Sequence, residues 1–155
     1  MTETNMDYVD RTLLLELQTN SRQTNRALAE SAGLAPSTTL ARVRELEAKE
    51  IITGYHAEVD LAAIGRGLQA LVFVRLQPKS QEIIESFIDH VWSLPETIGV
   101  HLISGAEDAI IHVAVSDTEA LQNVVVNQIS SHTGVFDERT SLLFGHRRRQ
   151  VIEPF

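Results

Sequence analysis

The stretch GLAPSTTLARVRELE, Gly33–Glu47, decides how the first half of the chain folds. Gly33 supplies the positive φ that ends one helix, and Pro36 takes the favoured first-turn position of the next. On a wheel of 100° per residue, one side of this second helix is mostly apolar and gathers Thr39, Leu40, Val43, Leu46 and Glu47. The stretch therefore predicts two helices joined by a tight turn, with Leu40, Val43 and Leu46 in the core.

The opposite side of the second helix is small near its start and cationic in its middle. Short side chains let a helix approach the base edges of DNA while arginines reach guanine or phosphate, so this is a candidate recognition helix. The residues predicted to contact DNA, two of them earlier in the chain, are Arg22, Arg26, Ser37, Thr38, Thr39, Ala41, Arg42, Arg44 and Glu45. The alternative is an ordinary solvated helix in which Arg42 pairs with Glu45 and Glu45 with Lys49.

Local signals predict the rest of the N-terminal part. An apolar stripe at helical spacing indicates a first helix through Val9, Leu13 and Leu17. Thr24 is the predicted N-cap of the next helix. The stretch IITGYHAEVD, Ile51–Asp60, is rich in β-formers around Gly54 and predicts a short hairpin or wing. We assign residues 1–53 to a winged helix-turn-helix domain and residues 54–67 to a β or linker segment.

From Leu68 the apolar pattern changes from helical spacing to alternation. Strand, helix, two strands joined by the loop SGAED, helix and strand follow, which is the βαββαβ order of a ferredoxin-like domain over residues 68–155. The whole chain is thus expected to be α+β. Helices cover one face of such a sheet, so the other face, where Leu71 and Phe73 point, needs a cover. A second copy of the chain is the simplest cover, and we expect a homo-oligomer.

The composition argues against several functional classes. The 155 residues are 43% hydrophobic, carry a net charge of −8 and include no cysteine. An acidic chain is unsuited to coating nucleic acid or anionic membranes through bulk charge, so contact with DNA must be local. No apolar run approaches the ~18 residues of a membrane span. We expect a cytoplasmic protein with no membrane partner, cofactor, metal or catalytic residue.

The loop Ser104–Asp108 is a candidate ligand site. Gly105 leaves room for a ligand, and free backbone amides in such a turn can hold a carboxylate. The alternative is an ordinary hairpin turn in which Gly105 and Asp108 serve geometry alone.

Several short motifs of the N-terminal half occur in a specific order and spacing. They are Leu28-Ala29, Gly33-Leu34, Pro36-Ser37, Arg42-Val43-Arg44, Leu46-Glu47 and Gly54-Tyr55. Together they resemble the winged helix-turn-helix of the Lrp/AsnC (leucine-responsive, feast/famine) transcription factors. In the second half, SGAED and GVFDERTSLLF resemble the same family's effector-binding and oligomerisation domain.

The resemblance implies a sequence-specific transcriptional regulator whose assembly or DNA binding responds to a small amino acid. It implies dimers on pseudo-palindromic double-stranded operators, built up to octamers, with the effector at a dimer–dimer interface. The residues considered for the effector are Ser104, Gly105, Ala106, Glu107, Asp108, Thr140 and Ser141. Two alternatives stay open: an architectural DNA-packing protein of low sequence specificity, and an enzyme built on a dimeric ferredoxin-like domain.

The chain departs from the family pattern at four positions. Ala35 stands where the family often has serine, so the recognition helix lacks a side-chain N-cap. Glu50 stands where a glycine usually follows the helix, so the turn must close differently or carry strain. Ala41 and Glu45 replace residues that are often basic, so the family's DNA sequence preference should not be carried over.

Two further features concern basic residues. The run HRRRQ, His146–Gln150, either contacts DNA or an acidic partner, or is simply solvated. A hairpin turning within SGAED would pair His101 with Ile111 and His112 with Val100, which places the two imidazoles on opposite faces. We therefore predict no histidine metal site.

Overall fold

Three helices form the first part of the chain in the computed structural model, which describes residues 6–154. They are α1 (Tyr8–Thr19), α2 (Asn25–Ala32) and α3 (Pro36–Ala48). Their inner faces meet in a small apolar core that buries Leu13, Leu14, Leu28 and Leu46. Because burial of one such leucine contributes about 1.5–3 kcal/mol, this core is the main force holding the three helices together.

The turn between α2 and α3 forms as predicted. Thr24 Oγ1 accepts a hydrogen bond from Ala27 N at 3.2 Å and caps the start of α2. Gly33 ends α2 with a left-handed φ of 66°, a conformation that a side chain would strain. Pro36 is the first residue of α3. These three predictions are confirmed, and together they define the tight turn.

The two ends of α3 differ in their caps: the start has no side-chain cap, whereas the end closes with the Schellman hydrogen bonds Glu50 N to Glu47 O and Ile51 N to Leu46 O, with a glutamate in place of the usual glycine. Ala35 provides no side-chain cap. The Asn25 side chain on α2 donates to Pro36 O at 2.8 Å, which ties the first turn of α3 to α2 but satisfies none of its free N–H groups. After the helix, Glu50 adopts a φ of 55°, in the left-handed region that residues other than glycine avoid. Of the two alternatives for this turn, the strained one is therefore observed.

The hairpin predicted over Ile51–Asp60 does not form within this chain, and that prediction is corrected. Residues 51–67 contain bends and turns but no strand. Ile51 and Ile52 pack against the core of the three helices, and Tyr55 Oη donates to Glu47 Oε1 at 3.0 Å. A strand needs a neighbour to pair its backbone groups, and this segment finds none among residues 6–154.

The second part of the chain is a four-stranded sheet with helices on one face. Its elements are β1 (Leu68–Leu76), α4 (Gln81–Trp92), β2 (Thr97–Leu102), β3 (Ala109–Val115), α5 (Thr118–Asn123) with a π-helical continuation (Val124–Ile129), and β4 (Val135–Leu143). Neighbouring strands are antiparallel, in the order β2-β3-β1-β4. The predicted βαββαβ order is confirmed.

The two faces of the sheet are covered differently. The helix side buries Ala70, Val72, Val74, Ile111 and Val113 against Phe87, Val91, Leu121, Val124 and Ile129. The opposite side, which we call the open face, carries Leu71, Phe73, Ile110, His112 and Arg139. Leu71, Phe73 and Ile110 are only half-buried there. Apolar side chains on the open face thus remain accessible in the single chain.

Within residues 6–154, each helix is too short or too polar to cross a lipid bilayer.

The chain divides into two units. The N-terminal unit comprises the chain up to Ala57 together with the segment from Arg147, and the sheet unit is Glu58–His146. The segment from Arg147 was predicted to belong to the domain at 68–155, but it groups with the N-terminal unit. The reason is that the Gln18 side chain on α1 donates to Ile152 O at 3.0 Å and accepts from Ile152 N at 2.9 Å.

Candidate functional site

The exposed side of α3 is the candidate surface for DNA. The exposed residues of α3 are Pro36, Ser37, Thr38, Leu40, Ala41, Arg44, Glu45, Glu47 and Ala48. At 100° per residue, Ser37, Ala41 and Arg44 form one stripe directly opposite the buried Leu46. We call these three residues the outer stripe. The outer stripe combines two small side chains with one cation.

Two residues of α3 are not where the sequence analysis placed them. Thr39, predicted to contact DNA, is completely buried, and its Oγ1 donates to Ala35 O at 3.1 Å. Leu40, predicted to lie in the core, is 41% exposed. The buried side is centred between Thr39 and Leu46, so Leu40, about 100° from Thr39, falls at its margin. Thr39 therefore belongs to the core and not to the surface for DNA.

Arg42, which was predicted to contact DNA, is paired with two acidic residues of the N-terminal unit. Its Nη1 lies 2.6 Å from Asp7 Oδ2 and 2.9 Å from Asp10 Oδ1, both from the start of α1. The hydrogen bonds to Asp10 and Asp7 raise the pKa of Arg42. In turn, the backbone N–H of Asp10 and the Arg42 side chain lower the pKa of Asp7. Arg42 thus joins α3 to α1 and positions the helix that carries the outer stripe.

Arg44 is the exposed cation of α3. It takes part in no ion pair with residues 6–154. Arg22 and Arg26, which were predicted to contact DNA, are also exposed. Arg26 Nε lies 3.3 Å from Glu30 Oε1, one turn along α2. Because that pair is fully solvated, it leaves Arg26 free to exchange Glu30 for a phosphate.

The ion pairs of the solvated-helix alternative form only in part. Lys49 Nζ lies 2.6 Å from Glu45 Oε1, as that alternative predicted, and lowers the pKa of Glu45. Arg42 does not pair with Glu45, since Asp7 and Asp10 occupy it. The carboxylate of Glu45 is thus exposed but partly neutralised.

The loop between β2 and β3 leaves a row of backbone donors unused. Ser104, Gly105 and Ala106 are exposed, and their N–H groups have no acceptor within residues 6–154. Gly105 has a φ of 152°, and no atom lies within 4 Å of the place a Cβ would take. Successive free amides of this kind form a concave site that can hold a carboxylate.

Asp108 anchors this loop to the sheet. Its Oδ2 accepts from Leu76 N at 2.9 Å, and its Oδ1 lies 2.7 Å from Lys79 Nζ. Burial alone would raise the pKa of Asp108, but the hydrogen bonds from Lys79 and Leu76 outweigh it and lower the pKa. The carboxylate therefore stays charged and is occupied by partners from the end of β1 and beyond.

Glu107 is also engaged. Arg139 Nη2 on β4 lies 3.2 Å from Glu107 Oε1, and the Arg139 guanidinium carbon lies 4.4 Å from the centre of the Phe73 ring. Arg139 therefore links the loop to the open face, through an ion pair and a cation–π contact. Arg139 and Lys79 could not be predicted from the sequence, because each meets its acidic partner in a distant part of the chain, where no spacing rule applies.

Thr140 and Ser141 are not brought to the loop within this chain. They point to opposite faces of β4, since Thr140 pairs with the core residue Val72 and Ser141 with Leu71 of the open face. The loop contacts the far end of β1, where Asp108 N donates to Val74 O at 2.9 Å. Any role for Thr140 or Ser141 in the same site would need another copy of the chain.

The predicted strand pairing of His101 and His112 is corrected by the register of β2 and β3. His101 pairs with Ile110, and His112 pairs with Gly99. This register differs by one residue from the predicted pairing, and it places both imidazoles on the open face. Among residues 6–154, no group of three His, Asp or Glu side chains is arranged to hold a metal ion.

Both halves of the chain match known protein families. Residues 6–53 match a winged helix-turn-helix DNA-binding family, and residues 69–151 match the Lrp/AsnC ligand binding domain. The HTH-type transcriptional regulator AldR of Mycolicibacterium smegmatis is 42% identical over 143 residues, which are 92% of this chain and 84% of that protein. The leucine-responsive regulatory protein of Escherichia coli K12 is 33% identical over 135 residues, covering 87% of this chain and 82% of its own.

Solved structures share the fold over nearly the whole chain. AldR of Mycobacterium tuberculosis superposes with a TM-score of 0.82 at 33% identity, over 99% of this chain and 100% of that one. A Neisseria meningitidis transcriptional regulator in complex with L-Met gives a TM-score of 0.86 at 30% identity, over 92% of each chain. With a winged helix-turn-helix before a ligand-binding domain of this type, the chain belongs to the Lrp/AsnC family of transcriptional regulators.

Proposed function

We propose that this chain reads a pseudo-palindromic operator in the cytoplasm through α3, and that a small amino acid modulates its assembly or DNA binding. It acts by binding and not by catalysis. The observation that carries the DNA part is the outer stripe, in which the small Ser37 and Ala41 lie beside the exposed Arg44. Small side chains let α3 enter the major groove, where Arg44 reaches guanine or phosphate.

Residues beside the outer stripe complete the proposed surface. Thr38 and Glu45 lie on one flank, where a hydroxyl can bond to several bases and a carboxylate can accept from cytosine N4. Arg22 and Arg26 supply phosphate contacts that fix the orientation of the helix. Two copies of this surface on one dimer give the affinity that a single helix on an acidic chain lacks.

Operator selection from a random duplex library tests the DNA part. We expect the wild-type protein to enrich two half-sites at a fixed spacing, and Ala41→Gln to change a base within each half-site while the spacing stays the same. Arg11→Gln is the matched control, because Arg11 is exposed on α1. A footprint that spreads without sequence preference would instead identify a DNA-packing protein.

The free amides of Ser104, Gly105 and Ala106 carry the effector part of the proposal. They supply donors for the carboxylate that all amino acids share. Residues outside these three amides would contact the effector's side chain. The L-Met complex of the Neisseria meningitidis relative supports an amino acid as the ligand class. Binding at this loop is proposed to change how dimers associate.

Calorimetry with the common amino acids tests the effector part. We expect at least one to bind the wild-type protein and Gly105→Trp to abolish that binding. Gly65→Trp is a matched control, because Gly65 also has a positive φ, 78°, with open space around its missing Cβ. If no amino acid binds the wild-type protein, or if both variants lose binding equally, this part of the proposal is wrong.

The open face supports a homo-oligomer. Leu71, Phe73 and Ile110 form an apolar surface that a second copy would bury. Light scattering is expected to show at least a dimer for the wild-type protein, and a smaller species for Leu71→Glu. Leu142→Glu, on an exposed leucine of the other side of the sheet, is expected to keep the wild-type assembly. A wild-type monomer would contradict this proposal.

A further inference from the structure

The cationic run Arg147–Arg149 belongs to the N-terminal unit. Gln18 on α1 holds the backbone of Ile152 with two hydrogen bonds, of 3.0 and 2.9 Å, and Val151 and Pro154 beside it are half-buried. The three arginines are exposed, and none forms an ion pair with residues 6–154. Arg149 lies three residues from Ile152, so at most about 10 Å of chain separates its backbone from the Gln18 anchor.

The placement of this run changes the charge of the unit that contains α3. The chain up to Ala57 has eight Asp or Glu against six Lys or Arg, and the segment from Arg147 adds three arginines and one glutamate. The N-terminal unit is therefore neutral, and the whole net charge of −8 belongs to the sheet unit. Without the segment, the unit would be net negative and less able to approach phosphate.

We infer that Arg147, Arg148 and Arg149 contact the phosphate backbone of the operator. The Gln18–Ile152 hydrogen bonds anchor the segment that carries them to the DNA-binding unit. This inference rests on the proposed function. Gln18 lies in the last turn of α1, four residues before Arg22, so the segment docks at the end of α1 that leads into the proposed phosphate contacts. Exposed guanidinium groups suit phosphate because they can donate two parallel hydrogen bonds to it.

The salt dependence of operator binding tests this inference with the full-length chain. Each phosphate neutralised contributes about 0.9 to the slope of log K against log salt concentration. Replacement of all three arginines by glutamine is expected to reduce that slope by about 1 to 3 for each bound chain and to leave the selected sequence unchanged. Replacement of all three by lysine, which keeps the charge, is expected to retain most of the slope.

Two variants of α1 test whether Gln18 anchors the arginine segment. Gln18→Ala removes both hydrogen bonds to Ile152 while the arginines remain, so it is expected to lose part of the slope. Thr19→Ala, at the neighbouring exposed position, is expected to keep the wild-type slope. An unchanged slope in the glutamine triple variant would overturn the inference, and so would an unchanged slope in Gln18→Ala.

Two further outcomes concern the oligomer and the operator. If the glutamine triple variant forms a smaller oligomer, the arginines act on the acidic sheet unit of another copy, and the inference is overturned. If the wild-type protein selects no sequence and binds no duplex, the proposed function fails first. A wild-type protein that binds its operator with the same slope as the triple variant leaves the proposed function standing and removes only the role of the run.

Discussion

Arg42 Nη1 and Asp7 Oδ2 lie 2.6 Å apart and join α3 to the start of α1. Arg44, two residues further along α3, lies on the opposite side of the helix and is exposed. The two arginines of the motif Arg42-Val43-Arg44 therefore have different roles. Arg42 orients the helix within its unit, whereas Arg44 is available to a partner.

Separate effects are expected when each arginine is removed. Arg44→Ala should weaken operator binding about 10- to 100-fold with an unchanged melting temperature, because a bidentate contact to guanine contributes about 1–3 kcal/mol. Arg42→Ala should lower the melting temperature, because it leaves Asp7 and Asp10 without their shared cation. DNA titration and thermal unfolding of both variants provide the measurements.

The matched control for these two variants is Arg11→Ala, which removes an exposed arginine from α1. If Arg11→Ala loses as much operator affinity as Arg44→Ala, operator binding depends on net charge and not on the position of Arg44. A wild-type melting temperature in Arg42→Ala would show that the ion pairs with α1 do not stabilise the unit.

The stabilising effect of Asp7 is expected to depend on pH. The folded protein lowers the pKa of Asp7 from 3.8, through the backbone N–H of Asp10 and the Arg42 side chain. Its carboxylate therefore stabilises the fold above about pH 4, and this contribution is lost as the pH falls through the lowered pKa. Asp7→Asn keeps an acceptor for Asp10 N but not the charge, so it should be less stable at pH 7.

Chemical unfolding of the wild-type protein and Asp7→Asn across a pH series measures this effect. The difference in unfolding free energy should shrink below about pH 4 and vanish at the acid end. A difference that stays constant through that range would assign the loss to packing and not to the charge of Asp7.

Ala35→Ser is expected to stabilise the N-terminal unit by about 1 kcal/mol, because a serine hydroxyl at the N-cap satisfies a free amide of the first turn. The backbone of Ala35 already has the extended N-cap conformation, with φ −71° and ψ 144°. Thermal or chemical unfolding measures the gain. Ala41→Ser, in the middle of α3, should give no gain. Equal effects at the two positions would rule out capping as the cause.

Glu50→Gly is expected to stabilise the same unit by about 0.5–1 kcal/mol. The left-handed conformation costs a residue with a side chain about 1–2 kcal/mol, and the greater freedom of glycine in the unfolded chain cancels part of the relief. Glu50→Ala keeps the strain and should show no such gain. If alanine stabilises as much as glycine, the cause is removal of the glutamate charge.

Asp108→Ala is expected to destabilise the sheet unit by about 1–3 kcal/mol, because it removes the side-chain acceptor of Leu76 N at the end of β1. Asp108→Asn keeps an acceptor and should cost less, although it weakens the pair with Lys79. Unfolding experiments on both variants rank them. If the asparagine variant is as unstable as the alanine variant, the stabilisation by Asp108 comes from its ion pair with Lys79 alone and not from the hydrogen bond to Leu76 N.

Features set by neighbouring residues could be predicted from the sequence. The cap at Thr24, the left-handed Gly33 and the first-turn position of Pro36 depend on local backbone geometry, and all three are observed. The βαββαβ order followed from the change in apolar period at Leu68, because burial of one sheet face imposes alternation.

Features set by distant residues could not be predicted. The partner of Arg42 is Asp7 on another helix, so the spacing rule that suggested Glu45 did not apply. The loop between β2 and β3 pairs Leu102 with Ala109, one residue away from the predicted register, and His101 therefore lies on the open face. The β-formers of Ile51–Asp60 found no strand to pair with among residues 6–154.

The loop Ser104–Asp108 has free backbone donors, whereas its acidic side chains are already paired. The amides of Ser104, Gly105 and Ala106 are free, whereas the Asp108 carboxylate is occupied by Lys79 and Leu76, and that of Glu107 by Arg139. An amino acid at the proposed site would therefore find donors for its carboxylate but no unpaired side-chain carboxylate in this loop for its ammonium group, and we propose that another copy of the chain supplies that acceptor. Effector affinity should then rise with protein concentration, so titrations of dilute samples would understate it.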